Sequence, residues 1–439
     1  MTPNPLAGIS NPFRDTVVSD PWQQARVDVP EIQARAFRMC CEALDYVRSS
    51  GRSTSVLLHG EAGSGKTHLL SRLRSHWAGE NATEAAPLPN VVLIYVRLQT
   101  SPRRLWRHLR RCFADDLLRA DADQNTQLDR ILLHRFAENR QAAGDLAIWW
   151  DWLKFEYADP GQWDRMLDEL FCPLDQDGKL GWDLCTILGH LFLGRHRLLA
   201  RAWLRGDSLP EAALAQLGLG DEHEDEDEQE SRARQVVTSL SYLAGPRIPV
   251  VFCFDQVEAL QVDLQDKNAL FDYSQFITSL YHETVNSVLI TCVKTQFIDL
   301  LSDASPKANR ARMEAYKNSL DPLLWEDASR LIRARLDSQP DLARLRVDQN
   351  KPLWPLDEDK LKAKVGTSGL VARKLLTLCA ELYEAARGPE IVIESLDEFL
   401  ERTWQELREQ ALAANTVEQT DEILAHGLPL LAGVADRQW

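Results

Sequence analysis

The sequence predicts an α/β protein: a parallel sheet that carries a large helical insertion and ends in a C-terminal α-helical lid. Three observations predict it. Short apolar runs, suited to strands covered on both faces, recur at residues 55–58, 90–99, 248–255 and 287–296. Helical spacing separates these runs, as a parallel sheet requires. From Leu320 onward the pattern is helical throughout.

The elements follow in order. Residues 1–28 are rich in Pro, Asn and Asp and read as an irregular arm. "EIQARAFRMCCEALDYVRSS" has helical spacing, with Ile32, Ala36, Met39, Cys40 and Leu44 on one face, and Gly51 ends it. The run at 55–58 is a buried strand, and Gly65 opens a helix that reaches about Trp77. Residues 90–99 are the second strand. The next strand, "IPVVFCFD", starts only at Ile248. The long stretch between reads as mainly helical. Its cluster Trp149, Trp150, Trp152, Phe155, Tyr157 and Trp163 is expected to pack an inserted subdomain, because large aromatics dominate cores. The expected layout is an arm at 1–28, the first part of the core at 29–100, the insertion at 101–245, the second part of the core at 246–319, and the lid with C-terminal helices at 320–439. A chain of 439 residues has room for two or three domains.

The net charge of −16 argues against a uniformly basic nucleic-acid binder. Eight of those negative charges sit in "DEHEDEDEQE" at 221–230, which reads as a solvated, mobile loop. Eight cysteines with no C-x-x-C pair suggest reduced, buried thiols and a cytoplasmic location. No apolar run approaches membrane-spanning length, so no membrane partner is expected. The histidines show no H-E-x-x-H spacing, and no G-x-S-x-G occurs.

Gly60-Glu61-Ala62-Gly63-Ser64-Gly65-Lys66-Thr67 fits the phosphate-loop pattern G-x-x-x-x-G-K-[ST] in full and lies between a strand and a helix. Glycines let the backbone wrap closely around an anion, and the helix presents its positive end to it. Lys66 can reach the terminal phosphates of ATP, Thr67 can ligate Mg²⁺, and His68 extends the candidate contacts into the helix. A second acid is needed near the metal. Asp255, ending the third strand, is the candidate, and Glu258 is placed to activate the attacking water. Gln256 stands where a second adjacent acid is more usual.

In this order of motifs the chain resembles the AAA+ P-loop ATPases, in the group of replication initiators, origin-recognition ATPases and transposition regulators. "LDPLLWEDASRLIRARL" resembles the start of that group's lid, and "GTSGLVARKLL" its sensor-2 helix. The resemblance implies Arg373 as the arginine on the γ-phosphate and Thr295 as sensor 1, with Lys294 its neighbouring candidate. It also implies an arginine finger acting on a neighbouring subunit, for which "KANRARMEAY" offers Arg310 before Arg312. "ARAWLRGDSLPEAALAQLGL" and "FDQVEAL" are similar in style to ATPases of bacterial phage-defence islands.

The expected function is therefore an ATP- and Mg²⁺-dependent module. It would assemble as a homo-oligomer or hetero-complex and switch or drive a DNA-acting partner in defence. One alternative is an ATP-gated scaffold with negligible turnover, and another is a small-molecule kinase. Direct contact with DNA has one candidate surface. Arg103, Arg107, Arg110 and Arg111 form a basic helix face, with Arg104 beside it and Leu105, Leu109 and Cys112 opposite. The same face could equally pair with the acidic run. Arg197, Arg201 and Arg205 form a second such stripe, for which packing and salt bridges are expected.

Overall fold

The computed structural model describes residues 5–387 except 7, 15–17, 24–26, 78–90, 99–103, 122–123, 143–144, 221–224, 261–267 and 350, together with 404–405 and 407–408. It divides into a unit of Ile9–Tyr383 and a unit of Met1–Gly8 with Glu384–Trp439. In the second unit the described residues are few, and Arg387 pairs with Glu384 at 3.7 Å. Most of the helix expected at "SLDEFLERTWQELREQALAA" lies outside the described residues. Everything below concerns the first unit.

Five parallel strands form the sheet: β1 Thr54–His59, β2 Val92–Arg97, β3 Val250–Asp255, β4 Ser287–Val293 and β5 Tyr316–Ser319. Their spatial order is β2-β3-β4-β1-β5. Four match the apolar runs. The fifth, "YKNS", has no apolar run to announce it. It is an edge strand held by backbone pairing to β1 (Val56↔Tyr316 to His59↔Ser319) and only half buried.

The N-terminal half of the unit holds α1 Ala34–Ser50 and α2 Lys66–Trp77. After β2 come α3 Leu105–Leu117, α4 Gln127–Arg140, α5 Leu146–Glu156, α6 Trp163–Met166, α7 Trp182–Leu193, α8 Arg197–Arg205, α9 Glu211–Gln216 and α10 Glu226–Ala244. Helices α11 Asn268–Glu283, α12 Ile298–Ala304 and α13 Lys307–Met313 flank β4 and precede β5. The lid follows as α14 Trp325–Asp337, α15 Pro340–Gln349, α16 Glu358–Val365 and α17 Ala372–Arg387. Among the described residues no helix is long and apolar enough to cross a membrane.

The sheet is covered on both faces, which explains its unbroken apolar strands. Helices α1 and α2 pack Cys40, Leu44, Leu69 and Leu73 with Val56, Leu58, Cys253 and Ile290 on one face. The insertion covers the other. Its apolar residues form one continuous cluster with Val92, Ile94, Phe252, Phe254 and Leu289, and Phe113 meets Phe252 edge-on at 5.5 Å. The insertion is therefore a layer of the core, where the sequence suggested an inserted subdomain.

The insertion also protects the sheet's outer edge. Strand β2 has one unpaired side, and side chains occupy it. Gln127 accepts from the Leu93 N–H at 2.9 Å and donates to the Leu93 carbonyl at 3.0 Å. Asp116 accepts from the Tyr95 N–H at 2.7 Å. These bonds satisfy backbone groups that would otherwise recruit a foreign strand.

Two expectations for the insertion are corrected. The acidic run is not a loop along its whole length. From Asp225 it becomes the capped start of α10, where Asp225 and Glu228 form a reciprocal capping box, and residues 221–224 lie outside the described residues. Acids are favoured in a first helical turn, where they meet the free N–H groups and the positive end of the dipole. The aromatic cluster divides as well. Trp150 and Tyr157 are buried, but Trp152 is 48% and Phe155 80% exposed. All eight cysteines are free, and Cys172 is exposed.

Candidate functional site

The carboxyl ends of β1, β3 and β4 open on one side of the sheet, where open α/β sheets place their ligand crevices. A cavity of about 530 Å³ lies there. The phosphate loop, Asp255, Glu258, Lys294 and Arg373 all line it.

The loop's shape depends on its glycines. Gly63 has φ +84°, and a Cβ on it would sit 2.6 Å from the Arg373 Cβ. Arg373 is brought there by the lid. Its N–H donates to the Gly63 carbonyl at 3.2 Å. The turn before it is fixed by a backbone bridge between Leu323 and Leu370, with bonds of 2.8 and 3.0 Å. Gly369, at φ +74°, allows that bridge, because a Cβ would fall 2.8 Å from the Leu323 carbonyl oxygen.

Lys66 curls back on its own loop and donates to the carbonyls of Gly60 at 2.7 Å and Glu61 at 3.2 Å. Thr67 donates its hydroxyl to Asp255 Oδ2 at 2.7 Å. The Tyr95 phenol donates to the same oxygen at 3.0 Å. Burial, reinforced by the Asp255 charge, pushes the Tyr95 pKa up, so the phenol stays a donor. Asp255 is 2% exposed and has a third partner, the Gln256 N–H at 2.9 Å from Oδ1. One hydroxyl and one carboxylate form the hard-oxygen donor set that suits Mg²⁺. Among the described residues no larger cluster of metal-binding side chains occurs.

Gln256 has φ +61°, a conformation that is uncommon outside glycine. The chain turns sharply there into the short helical turn Val257–Leu260, which carries Glu258. Glu258 Oε1 pairs with the Lys294 ammonium at 3.5 Å, and its buried Oε2 has no hydrogen-bond partner. A buried carboxylate oxygen without a partner is costly, and this one lies beside the cavity.

Of the two residues after β4, Lys294 lines the cavity and Thr295 does not. Thr295 is exposed at the start of a single helical turn. Val293, the last residue of β4, is buried, and Lys294 after it lies on the cavity wall. Arg310 lies outside the cavity on α13, half exposed, and pairs with Glu314 at 3.7 Å. His68 lines the cavity near Asp28 at 3.9 Å and the Val27 carbonyl at 3.4 Å. Burial lowers its pKa, which favours the neutral ring.

Sequence reasoning missed part of the site. Arg335, on α14, also lines the cavity, and nothing in "SRLIRARL" separates it from Arg330, which pairs with Glu326. Tyr95 is hidden inside an apolar run. The irregular arm supplies Val18 and Val27, and the residues between it and α1 supply Val29 and Ile32, as an apolar wall. Helix α2 pins that arm: Arg72 donates to the carbonyls of Ile32 at 2.9 Å and Pro30 at 2.7 Å, and Ser71 donates to that of Gln23 at 2.8 Å.

The basic helix does not present the expected stripe. Arg103 lies outside the described residues. Arg104 pairs with Glu226 of the acidic run. Arg110 is 6% exposed and donates to the carbonyls of Trp203 and Leu204 at the end of α8. Arg111 pairs with Asp207 at 2.8 Å. Glu230 accepts the N–H groups of Trp106 at 2.8 Å and Arg107 at 3.3 Å, at the start of α3. Arg201 and Arg205 pair with Asp115 at 3.0 and 2.9 Å. Among the described residues these pairs and backbone bonds tie α3, α8 and α10 together.

Comparison with known proteins agrees with the core. Residues 54–138 match the NACHT domain model. No curated protein sequence matches significantly. Among solved structures, the Orc1 protein of Aeropyrum pernix, determined in complex with DNA, is similar at 14% identity and TM-score 0.35, over 90% of this chain and 71% of that one. The complete phosphate loop, the parallel order β2-β3-β4-β1-β5 and the NACHT-like stretch at 54–138 give this chain the core of a P-loop nucleotide-binding fold.

Proposed function

We propose that the chain binds and hydrolyses ATP with Mg²⁺ in this cleft, assembles through the nucleotide, and so switches or drives a partner that acts on DNA. The observation that carries the proposal is the convergence of Lys66, Thr67, Asp255, Glu258 and Arg373 on one cavity. The adenine would lie on the apolar wall of the arm and Leu376. Lys66 would exchange its loop carbonyls for the terminal phosphates. Thr67 and Asp255 would hold Mg²⁺, which when bound neutralises charge on the phosphates. Glu258 would accept a proton from the attacking water through its unpartnered oxygen. Arg373 would take up the charge that develops on the γ-phosphate, with Arg310 of a neighbouring copy as the finger. The DNA-acting partner, and its place in phage defence, rest on the sequence resemblance and not on the arginine helices.

The test is phosphate release across a Mg²⁺ titration, with mass in solution measured with and without a slowly hydrolysed ATP analogue. Lys66→Ala should abolish nucleotide binding and assembly. Glu258→Gln should keep binding and lose roughly 10²- to 10⁴-fold in turnover. A kinase would instead put phosphate on a metabolite without assembling.

One observation favours the slower alternative. Lys294 ties up Glu258, and Gln256 leaves the site without a second adjacent acid. An ATP-gated scaffold would assemble on ATP yet release phosphate no faster than the Glu258→Gln variant.

A further inference from the structure

A second cavity, of about 280 Å³, lies in the insertion where α3, the end of α8 and α10 meet. Its wall carries five arginines, Arg107, Arg110, Arg111, Arg205 and Arg232, against one carboxylate, Asp207. Asp207 is shared, pairing with Arg111 at 2.8 Å and Arg205 at 3.2 Å. Asp115 and Asp183 approach Arg205 and Arg232 from outside the wall. Arg107 stands apart. Among the described residues no carboxylate forms an ion pair with its guanidinium, and Glu230 accepts its backbone N–H instead.

The arginines are held in place before any ligand arrives. Arg110 and Arg232 lie over the Trp203 ring at 5.0 and 5.3 Å. Arg110 is fixed further by the carbonyls that end α8. Such packing removes the rotamer freedom that a flexible cation loses on binding. A planar guanidinium matches phosphate with paired hydrogen bonds.

We propose that this cavity binds a phosphate-bearing small molecule through a group the size of a diphosphate, separately from the nucleotide cleft. Its volume of about 280 Å³ falls just below the usual range for ligand pockets, which suits a charged headgroup better than a whole dinucleotide. A nucleic-acid strand fits less well. The acidic first turn of α10, with Glu226, Asp227 and Glu228, adjoins the cavity and would repel a long polyanion. One side chain joins the cavity to the end of strand β2. His108 is in its wall, and its Nε2 lies 3.0 Å from the carbonyl of Arg97, the residue registered against Asp255.

The test is calorimetric titration of inorganic pyrophosphate into the full chain carrying Lys66→Ala, which disables the phosphate loop, in magnesium-free buffer. Saturable binding at one site is expected. Adding Arg107→Glu should weaken it roughly ten- to a hundred-fold, the worth of a charge-assisted bond. Adding Asp207→Asn should tighten it, a result that misfolding cannot imitate. Absence of saturable binding overturns the proposal, as does equal affinity in all three proteins. Arginine-dependent binding of duplex DNA with no response to pyrophosphate overturns it in favour of a nucleic-acid surface.

Discussion

Arg373 and Arg110 both stand out in the sequence as arginines in helical patterns, yet the fold treats them in opposite ways. Arg373 is exposed, anchored by its backbone to Gly63, with its side chain on the wall of the nucleotide cavity. Arg110 is buried, with its guanidinium bonded to two carbonyls and stacked on Trp203. In the cleft a backbone bond anchors Arg373 and leaves its charged end on the cavity wall. On α3 most charged ends have become structural. The difference teaches that a basic residue's role is set by what its neighbours leave unsatisfied. Spacing along a helix does not reveal that.

The sharpest way to break the comparison is to remove both arginines in turn. Arg373→Ala should cut ATP turnover by on the order of 10³-fold, as for other arginines that stabilise phosphoryl transfer, while leaving thermal stability almost unchanged. Phosphate release and a melting curve decide it. A variant that melts early with near-normal turnover would make Arg373 structural.

Arg110→Met should show the reverse pattern. It strands the carbonyls of Trp203 and Leu204 and should cost about 1–3 kcal/mol in denaturant unfolding. Arg111→Ala, removing a half-exposed pair, should cost no more than about 1 kcal/mol. Equal costs would mean that burial does not separate the two arginines.

A third, smaller effect concerns two carboxylates that Tyr95 touches from opposite ends. Its phenol meets Asp255 in the cleft, and its N–H meets Asp116 at the sheet edge. Burial pushes the Asp116 pKa up to about 7. In the folded state Asp116 therefore holds its proton at pH values where the unfolded chain has released it. The stability this contributes is present at low pH and is lost as pH rises from the ordinary carboxylate range toward 7. The slope is at most about 1.4 kcal/mol per pH unit for one proton. Asp116→Asn should flatten the decline in denaturant unfolding measured across that window. An unchanged slope would assign the pH dependence elsewhere.

Much of this was legible in the chain itself. Four strands and the helices around them follow from apolar periodicity, because burial on both faces leaves a local signature. The phosphate loop is legible because its chemistry needs consecutive residues. Asp255 follows from its place at the end of an apolar strand. Other features depend on residues far apart in sequence. Strand β5 exists because β1 offers it a backbone edge. The N-terminal arm becomes a wall of the cleft because Arg72 and Ser71 bind its carbonyls. The acidic run starts a helix and neutralises Arg104 because α10 packs against α3. Lys294 lines the cleft and Thr295 does not, because the chain enters a single helical turn there that leaves Thr295 exposed. The sequence by itself determined the local elements and the nucleotide loop, which are short-range properties of periodicity and turn chemistry. Tertiary structure alone decided which charges remain free to act, because each charge is cancelled or exposed by partners that only folding brings within reach.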